Sequence, residues 1–367
     1  MLATLKVRGF VCLVLAAAAG LSPSARQQQS AVVTGVMTPF ESYVELLRQQ
    51  AGIPGLSAII LKDSQVVWER GFGYANVESR LPATPDTPYL IGDVSETFGT
   101  VLILQCVEER HLDLDDSVRR YQVNLGEPEP TLRQVLSHWS MSNEGGPFKY
   151  DAGRFGQLAG AVEFCAPQPY RKTVSHRLME RLAMRDSVPG RDLKDPEVVP
   201  EGLFDPAILE RYQRVLTRVA VPYKLDKKGK AVRSDAPLPE SVSASDGIVS
   251  TVRDLARLDA AIDDGILLKP ETLTAAWTNA SGRDGVALPT GLGWFVQSYH
   301  SEPVVWQFGL IPGAYSSLVI KLPQRQATLI MLANSDALSP PLPANQLSNG
   351  DVTRSIFAST FLRLFVP

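Results

Sequence analysis

The sequence predicts an α+β fold: an α/β sandwich with one antiparallel sheet, built from the two ends of the chain around a mainly helical insertion. Three observations carry this. Two strand-like runs, Leu56 to Leu61 and Val66 to Tyr74, are turned by Lys62-Asp63-Ser64 near the start. Four more, Gly291 to Gln297, Val304 to Phe308, Ser316 to Leu322 and Thr328 to Ala333, lie near the end. Between them the apolar spacing is mostly helical. The expected division is a discontinuous sheet domain over 35–84 and 286–367 and a mainly helical domain over 85–285, with a cleft between them.

Ahead of the sheet, residues 1–25 have the pattern of a secretory signal. Lys6 and Arg8 precede an apolar run from Phe10 to Leu21, and small residues suit cleavage near Gly20 or Ser24. The run is about a dozen residues, short of the roughly 20 that span a bilayer. Cys12 lies mid-run, the wrong place for lipid attachment at a mature N-terminus. The expected location is periplasmic or secreted, with an uncleaved N-terminal anchor as the alternative. Without Lys6 and Arg8, 34 basic residues face 39 acidic ones, so the exported chain is about five units negative. That balance, with no basic stripe interleaved with aromatics, gives no case for nucleic acid. Hydrophobic residues make up 44% of the chain, enough for a substantial core.

Pro39 to Gln50 reads as an amphipathic helix ending at Ala51-Gly52-Ile53-Pro54-Gly55. Gly71-Phe72-Gly73 is no dinucleotide loop, because no helix follows it. His111 to Tyr121, Thr131 to His138 and Gly153 to Glu163 suit helices. The lysine-rich stretch from Tyr223 to Glu240 reads as a solvated loop or hairpin. Ser250-Thr251 caps a helix through Leu258 to Ile262, and Thr353 to Phe365 is a closing amphipathic helix. Cys106 falls on an apolar helix face, where a buried free thiol is the plain reading. A disulfide to Cys165 is allowed in an oxidising compartment.

The most apolar helical pattern runs from Val94 through Phe98, Val101, Leu102, Leu104, Cys106 and Val107. Asp93 falls at its start and Glu96 three residues later, the spacing of a capping box. Both charges also suit the positive end of the helix dipole. This local reading explains the pair without chemistry.

Six stretches stand out together: Ile53-Pro54-Gly55-Leu56-Ser57, Trp68-Glu69-Arg70-Gly71-Phe72-Gly73-Tyr74-Ala75-Asn76, Leu112-Asp113-Leu114-Asp115-Asp116, Val135-Leu136-Ser137-His138, Asp246-Gly247-Ile248-Val249-Ser250-Thr251-Val252-Arg253-Asp254-Leu255-Ala256 and Gly291-Leu292-Gly293-Trp294. Through them the chain from about Phe40 to Phe365 resembles the serine β-lactamase and penicillin-binding-protein family, particularly its class C, DD-peptidase and esterase branch. The resemblance implies a β-lactamase/transpeptidase-like fold. It also implies that Asp93 and Glu96 stand where the family has the nucleophile and lysine of Ser-x-x-Lys. Tyr150 matches the tyrosine of the family's Tyr-x-Asn, with Ala152 in place of the amide. Gln307 and Gly309 match its Lys- or His-x-Gly, with the cation lost. The implied site is therefore Asp93, Glu96 and Tyr150 at the catalytic positions, with Ala152, Gln307 and Gly309 at substrate-binding ones.

The charge changes add up: one unit from Ser to Asp93, two from Lys to Glu96, and one more if a lysine became Gln307. A like-charge contact at about 4 Å costs roughly 4 kcal/mol at an effective dielectric near 20. The expected cleft is three to four units more negative than in a lysine-bearing relative, and prefers cationic or neutral ligands over carboxylates. Ser95 lies about 200° round the helix from position 93 and should face elsewhere. Asp93 and Glu96 working as acid and base, or with Asp151 holding a hard cation such as calcium, are alternatives. His111, His138, His176 and His300 show no metal spacing, and His138 resembles a structural family position. No Gly-x-Ser-x-Gly elbow is present. The expectation is an exported, catalytically impaired relative acting as a binding or accessory protein on a small-molecule, ester or peptide ligand, without cofactor or metal. The alternative is an esterase, DD-peptidase or β-lactamase-like hydrolase with an altered mechanism around Asp93, Glu96 and Tyr150.

Overall fold

Short β-branched runs at both ends of the chain become neighbours in one antiparallel sheet. The computed structural model describes residues 23–126, 129–140, 147–282, 285–339 and 347–366, with the backbone alone for 23–36 and Pro196. The leader predicted over 1–25 lies almost entirely outside these residues. A helix, α1 (Pro23–Gln50), precedes strands β1 (Gly55–Lys62), β2 (Gln65–Asn76) and β3 (Leu81–Pro82). Near the other end come β9 (Phe295–Tyr299), β10 (Glu302–Ile311), β11 (Tyr315–Leu322) and β12 (Ala327–Ala333). The sheet order is β3-β2-β1-β12-β11-β10-β9, so the first and last strands meet at its centre. Ile59 lies opposite Ile330 there. Both central strands are almost wholly buried, which explains their near-continuous apolar sequence.

One sheet face packs on α1 and the closing helix Ile356–Phe365, where Phe40 sits edge-on to Trp68 at 5.3 Å and to Phe361 at 6.3 Å. The other face shares a core with the insertion, Ile59 and Ile330 joining Phe98, Val101, Leu136 and Ile262. The insertion includes β4 (Tyr89–Leu90), β5 (Val188–Pro189) and β8 (Ile248–Ser250), ordered β4-β8-β5, and a hairpin of β6 (Tyr223–Leu225) and β7 (Ala231–Arg233). Its central helix, α2 (Ser95–Glu108), is buried at every residue from Phe98 to Cys106. It is enclosed on all sides rather than amphipathic. Among the described residues, no helix is long and apolar enough to cross a membrane.

Three expected helices differ. α1 starts at Pro23, well before Pro39, because its polar first turns carry no apolar period to announce them. Gly153 to Glu163 is split into Ala152–Gly156 and Ala159–Cys165. His111 to Tyr121 yields only a 3₁₀ turn, Val118–Tyr121. There the Asp113 carboxylate takes the Asp115 N–H at 2.9 Å, an alternative to helical bonding.

Cys106 and Cys165 are bonded, so Cys106 is no free thiol. The bridge ties α2 to the helix Ala159–Cys165 across 59 residues of chain. Closing a loop of that length stabilises a fold by about 2–4 kcal/mol. Cys165→Ser should lower the denaturation free energy by that amount in chelator-containing buffer, read by urea titration. An unchanged midpoint would contradict a stabilising bridge.

Candidate active site

The site begins where two glycines let backbones touch. β9 pairs with β10 only as far as Trp306, so from Gln307 onward β10 has a strand partner on one side only. The segment after β4 fills that edge. A Cβ on Gly309 would lie 2.0 Å from the Ile91 carbonyl oxygen, and one on Gly92, at φ +53°, 3.0 Å from the Leu310 nitrogen. Any larger residue at 309 would force the segment away. The Ser317 hydroxyl donates to the Ile91 carbonyl at 2.6 Å and fixes the approach. A 3₁₀ turn, Gly92–Val94, then leads into α2 and presents Asp93 to the strand edge. The Leu310 N–H, one residue past Gly309, faces the Asp93 carboxylate and favours its charged form.

The capping box does not form at Asp93 and Glu96. Val94 is the N-cap of α2 and makes no side-chain bond. The box occurs instead at Thr131 and Gln134, ahead of the short helix Leu132–Leu136. Glu96 points inward and is fully buried. Its Oε2 accepts from the Gln307 amide at 2.7 Å and from His138 Nε2 at 3.3 Å, and its Oε1 accepts from the Tyr150 hydroxyl at 3.2 Å. The Tyr150 hydroxyl also reaches Asp93 and so lies between the two carboxyl groups. Its ring is held by His138 at 4.5 Å, Phe308 at 5.4 Å and Phe295 at 5.5 Å.

Gln307 was expected at a substrate-binding position, in place of the family's cation. Its amide is instead buried against Glu96, while its carbonyl accepts the Phe308 N–H at 3.2 Å. Ala152 opens the helix Ala152–Gly156 beside Tyr150 and brings only a methyl group. The Asp151 carboxylate caps that helix at the Arg154 N–H, 2.9 Å away. Asp93, Glu96 and Asp151 bring no three donor oxygens within metal-binding distance of one another. Ser95 is buried, and its hydroxyl has no hydrogen-bond partner.

The electrostatics revise the simple charge count. Burial, the nearby Glu96 carboxyl and Asp246 push the Asp93 carboxyl well above the ordinary range. Burial also raises Glu96, against the pull of its Gln307 and Tyr150 donors. Asp93 is the partly exposed member, and Glu96 has no contact with solvent. Two close carboxyls of raised pKa share a proton rather than hold two full charges. Burial likewise pushes His138 down to about 3, so its imidazole is neutral. The Asp151 N–H donates to His138 Nδ1 at 3.2 Å, which fixes the proton on Nε2, facing Glu96. The His138–Glu96 contact is therefore a hydrogen bond between a neutral ring and a carboxyl group.

Sequence reasoning placed Asp93, Glu96, Tyr150, Gln307 and Gly309 in one site, and the structure brings these five together. It missed His138 as a direct partner of Glu96, Asp246 as a neighbouring charge and the Leu310 N–H as a donor. His138 carried one usable signal, its place just past the apolar run that ends at Val135-Leu136.

The pattern for the β-lactamase family matches residues 40–349. The chain belongs to the β-lactamase family. Among curated relatives it is 34% identical over 101 residues to the mitochondrial serine beta-lactamase-like protein LACTB of Bos taurus, covering 26% of this chain and 18% of that protein. It is 31% identical over 106 residues to protein flp of Staphylococcus aureus (strain NCTC 8325 / PS 47), covering 27% of this chain and 21% of flp. The matches thus span about a fifth of each relative. Two solved structures share the fold. The octameric penicillin-binding protein homologue from Pyrococcus abyssi has a TM-score of 0.69 at 23% identity, covering 89% of this chain and 77% of that one. The D-amino acid amidase from Ochrobactrum anthropi SV3, complexed with L-phenylalanine amide, has a TM-score of 0.66 at 20% identity, covering 89% and 99%. The β-lactamase fold with its antiparallel sheet and helical insertion is thereby established. Fold alone does not establish an activity.

Proposed function

We propose that this β-lactamase-family chain is an exported, non-acylating member that binds its ligand or partner without turning it over. Asp93 and Glu96 stand in it for the family's nucleophilic serine and lysine. One observation carries this reading: the Leu310 N–H faces the Asp93 carboxylate, and the Tyr150 hydroxyl donates to Glu96 at 3.2 Å with Asp93 beside it, so the polar groups an acylation site would use are taken up by the two carboxyls. An acyl group has no hydroxyl to attack it there, and its carbonyl oxygen would have to displace a carboxylate from the strand edge. The leader pattern and the Cys106–Cys165 bridge support export, since such bonds persist in oxidising compartments.

The test is labelling with a fluorescent penicillin and a fluorophosphonate, followed by mass spectrometry of the intact chain. No covalent adduct is expected at any serine, and a stable acyl-serine would overturn the reading. A second reading rests on the shared proton. With Tyr150 between them, Asp93 and Glu96 form an acid–base pair of raised pKa, which suits hydrolysis by an activated water. Turnover of an ester or amide by the unlabelled protein, lost in Asp93→Asn, would favour it.

A further inference from the structure

A second group of reactive side chains lies at the far end of α2, away from Asp93. Beside the Cys106–Cys165 bridge, Glu109 Oε2 is 4.0 Å from Cys165 Sγ, and His111 Nδ1 is 3.6 Å from that sulfur and 3.4 Å from Glu109 Oε2. The donor atoms of Cys106, Glu109 and Cys165 all lie within 4.8 Å of one another. Zinc takes sulfur at about 2.3 Å and nitrogen or oxygen at about 2.0–2.2 Å in a tetrahedron, which sets neighbouring donors roughly 3.3–3.8 Å apart. The three separations around His111, Glu109 and Cys165 are close to those values. The S–S bond keeps both sulfurs from a metal, and His111, which meets Cys165 and Glu109 but lies outside the three-donor group, must turn toward Cys106 once that bond breaks.

We propose that Cys106, Cys165, His111 and Glu109 form a redox-gated zinc site, open when the disulfide is reduced and closed when it is formed. A dithiol reductant supplies two electrons and two protons, leaves as its own cyclic disulfide and releases two thiols. Zinc then displaces both thiol protons and is held by two thiolates, one imidazole and one carboxylate. Breaking the S–S bond lets the sulfurs move apart to about 3.8 Å, the spacing of two thiolates on one zinc. Cys106 is buried and stays fixed on α2, whereas Cys165 is half-buried and Glu109 and His111 are exposed and free to turn inward. Arg177 donates to Glu109 Oε1 at 3.0 Å and to Oε2 at 3.3 Å. It can keep Oε1 as an outer partner that orients the carboxylate while Oε2 meets the metal. In the reduced chain zinc would then join α2 to the helix Ala159–Cys165, the link the disulfide makes once the chain is oxidised.

The test uses full-length protein reduced with a phosphine, freed of reductant under argon and titrated with Co²⁺ and then Zn²⁺. The reduced chain should bind one Co²⁺ with a thiolate charge-transfer band and the intense visible bands of tetrahedral cobalt, and Zn²⁺ should displace it. The oxidised chain should show neither. His111→Ala should weaken binding roughly tenfold or more, as the loss of one of four ligands. Cys165→Ser should abolish the charge-transfer band contributed by that sulfur. If the reduced chain unfolds, refolding on zinc addition, followed by circular dichroism, supports the site and failure to refold overturns it. Equal binding by the oxidised chain, or no tetrahedral cobalt spectrum from a folded reduced chain, also overturns it.

Discussion

Asp93→Ser combined with Glu96→Lys is expected to turn this chain into a slow acyl-transfer catalyst. The substitution at 93 frees the Leu310 N–H, which already points at that side chain, and leaves it as an oxyanion donor. Tyr150 stays beside the introduced serine and lysine, clamped by His138, Phe295 and Phe308. A positioned base and one oxyanion donor each contribute about 10²-fold or more, so p-nitrophenyl acetate hydrolysis should rise at least about 10²-fold over the parent. Ala152 still lacks an amide and Gln307 a charge, so β-lactams should remain poor substrates. No cap is lost, because neither residue caps α2. The stability change comes from Glu96 instead. Its three donors, Gln307, His138 and Tyr150, would face an ammonium group and must turn or go unsatisfied, at about 1–3 kcal/mol for each one stranded. A fluorophosphonate adduct on the introduced serine, with a burst of p-nitrophenol, would confirm the design. If the unmodified chain is the better catalyst and Asp93→Ala abolishes its activity, the acid–base reading replaces the non-acylating one.

The contrast between what the sequence announced and what it hid follows the range of the interactions. β1 and β12 were legible because each is a short apolar run between turn residues, and burial on both faces demands that composition. The helix Val252–Asp263 was legible because Thr251 supplies a local cap, accepting the Asp254 N–H at 3.1 Å. Glu96 was misread for the opposite reason. Its partners lie 42, 54 and 211 residues away at His138, Tyr150 and Gln307, so only the family pattern could bring them together. A capping box and a buried carboxyl cluster share one local signature, an acid followed by an acid three residues on. The break at Gly156 has a similar origin: a Cβ there would lie 2.8 Å from the Ser245 hydroxyl, a contact made by a loop far along the chain. Charge counting failed on the same ground, because residue types do not report the burial that moves their protons.

That burial sets the second large effect, a stability optimum in mildly acidic solution, between the unfolded carboxyl and imidazole ranges, with losses on both sides. Asp93 and Glu96 keep their protons to higher pH in the fold than in the unfolded chain, where carboxyls titrate near about 4. Their contribution is therefore complete below that range and is lost as pH climbs through the raised folded values. His138 acts in the other direction. Its ring ionises near 6.5 when unfolded and is pushed down to about 3 by burial in the fold, so its contribution is present above 6.5 and is lost as pH falls toward 3. Each unit between folded and unfolded values is worth about 1.4 kcal/mol, which makes the acid-side loss a few kcal/mol. Asp93→Asn removes one carboxyl of the crowded pair and should flatten the alkaline limb while leaving the acid limb in place. His138→Asn should flatten the acid limb alone. Glu96→Leu should be the most damaging change, since it strands the Gln307, His138 and Tyr150 donors in a dry site at about 1–3 kcal/mol each. Urea denaturation across the pH range reads all three variants. An alkaline slope in Asp93→Asn as steep as the parent's would show that the Asp93–Glu96 pair does not hold the proton this geometry assigns to it.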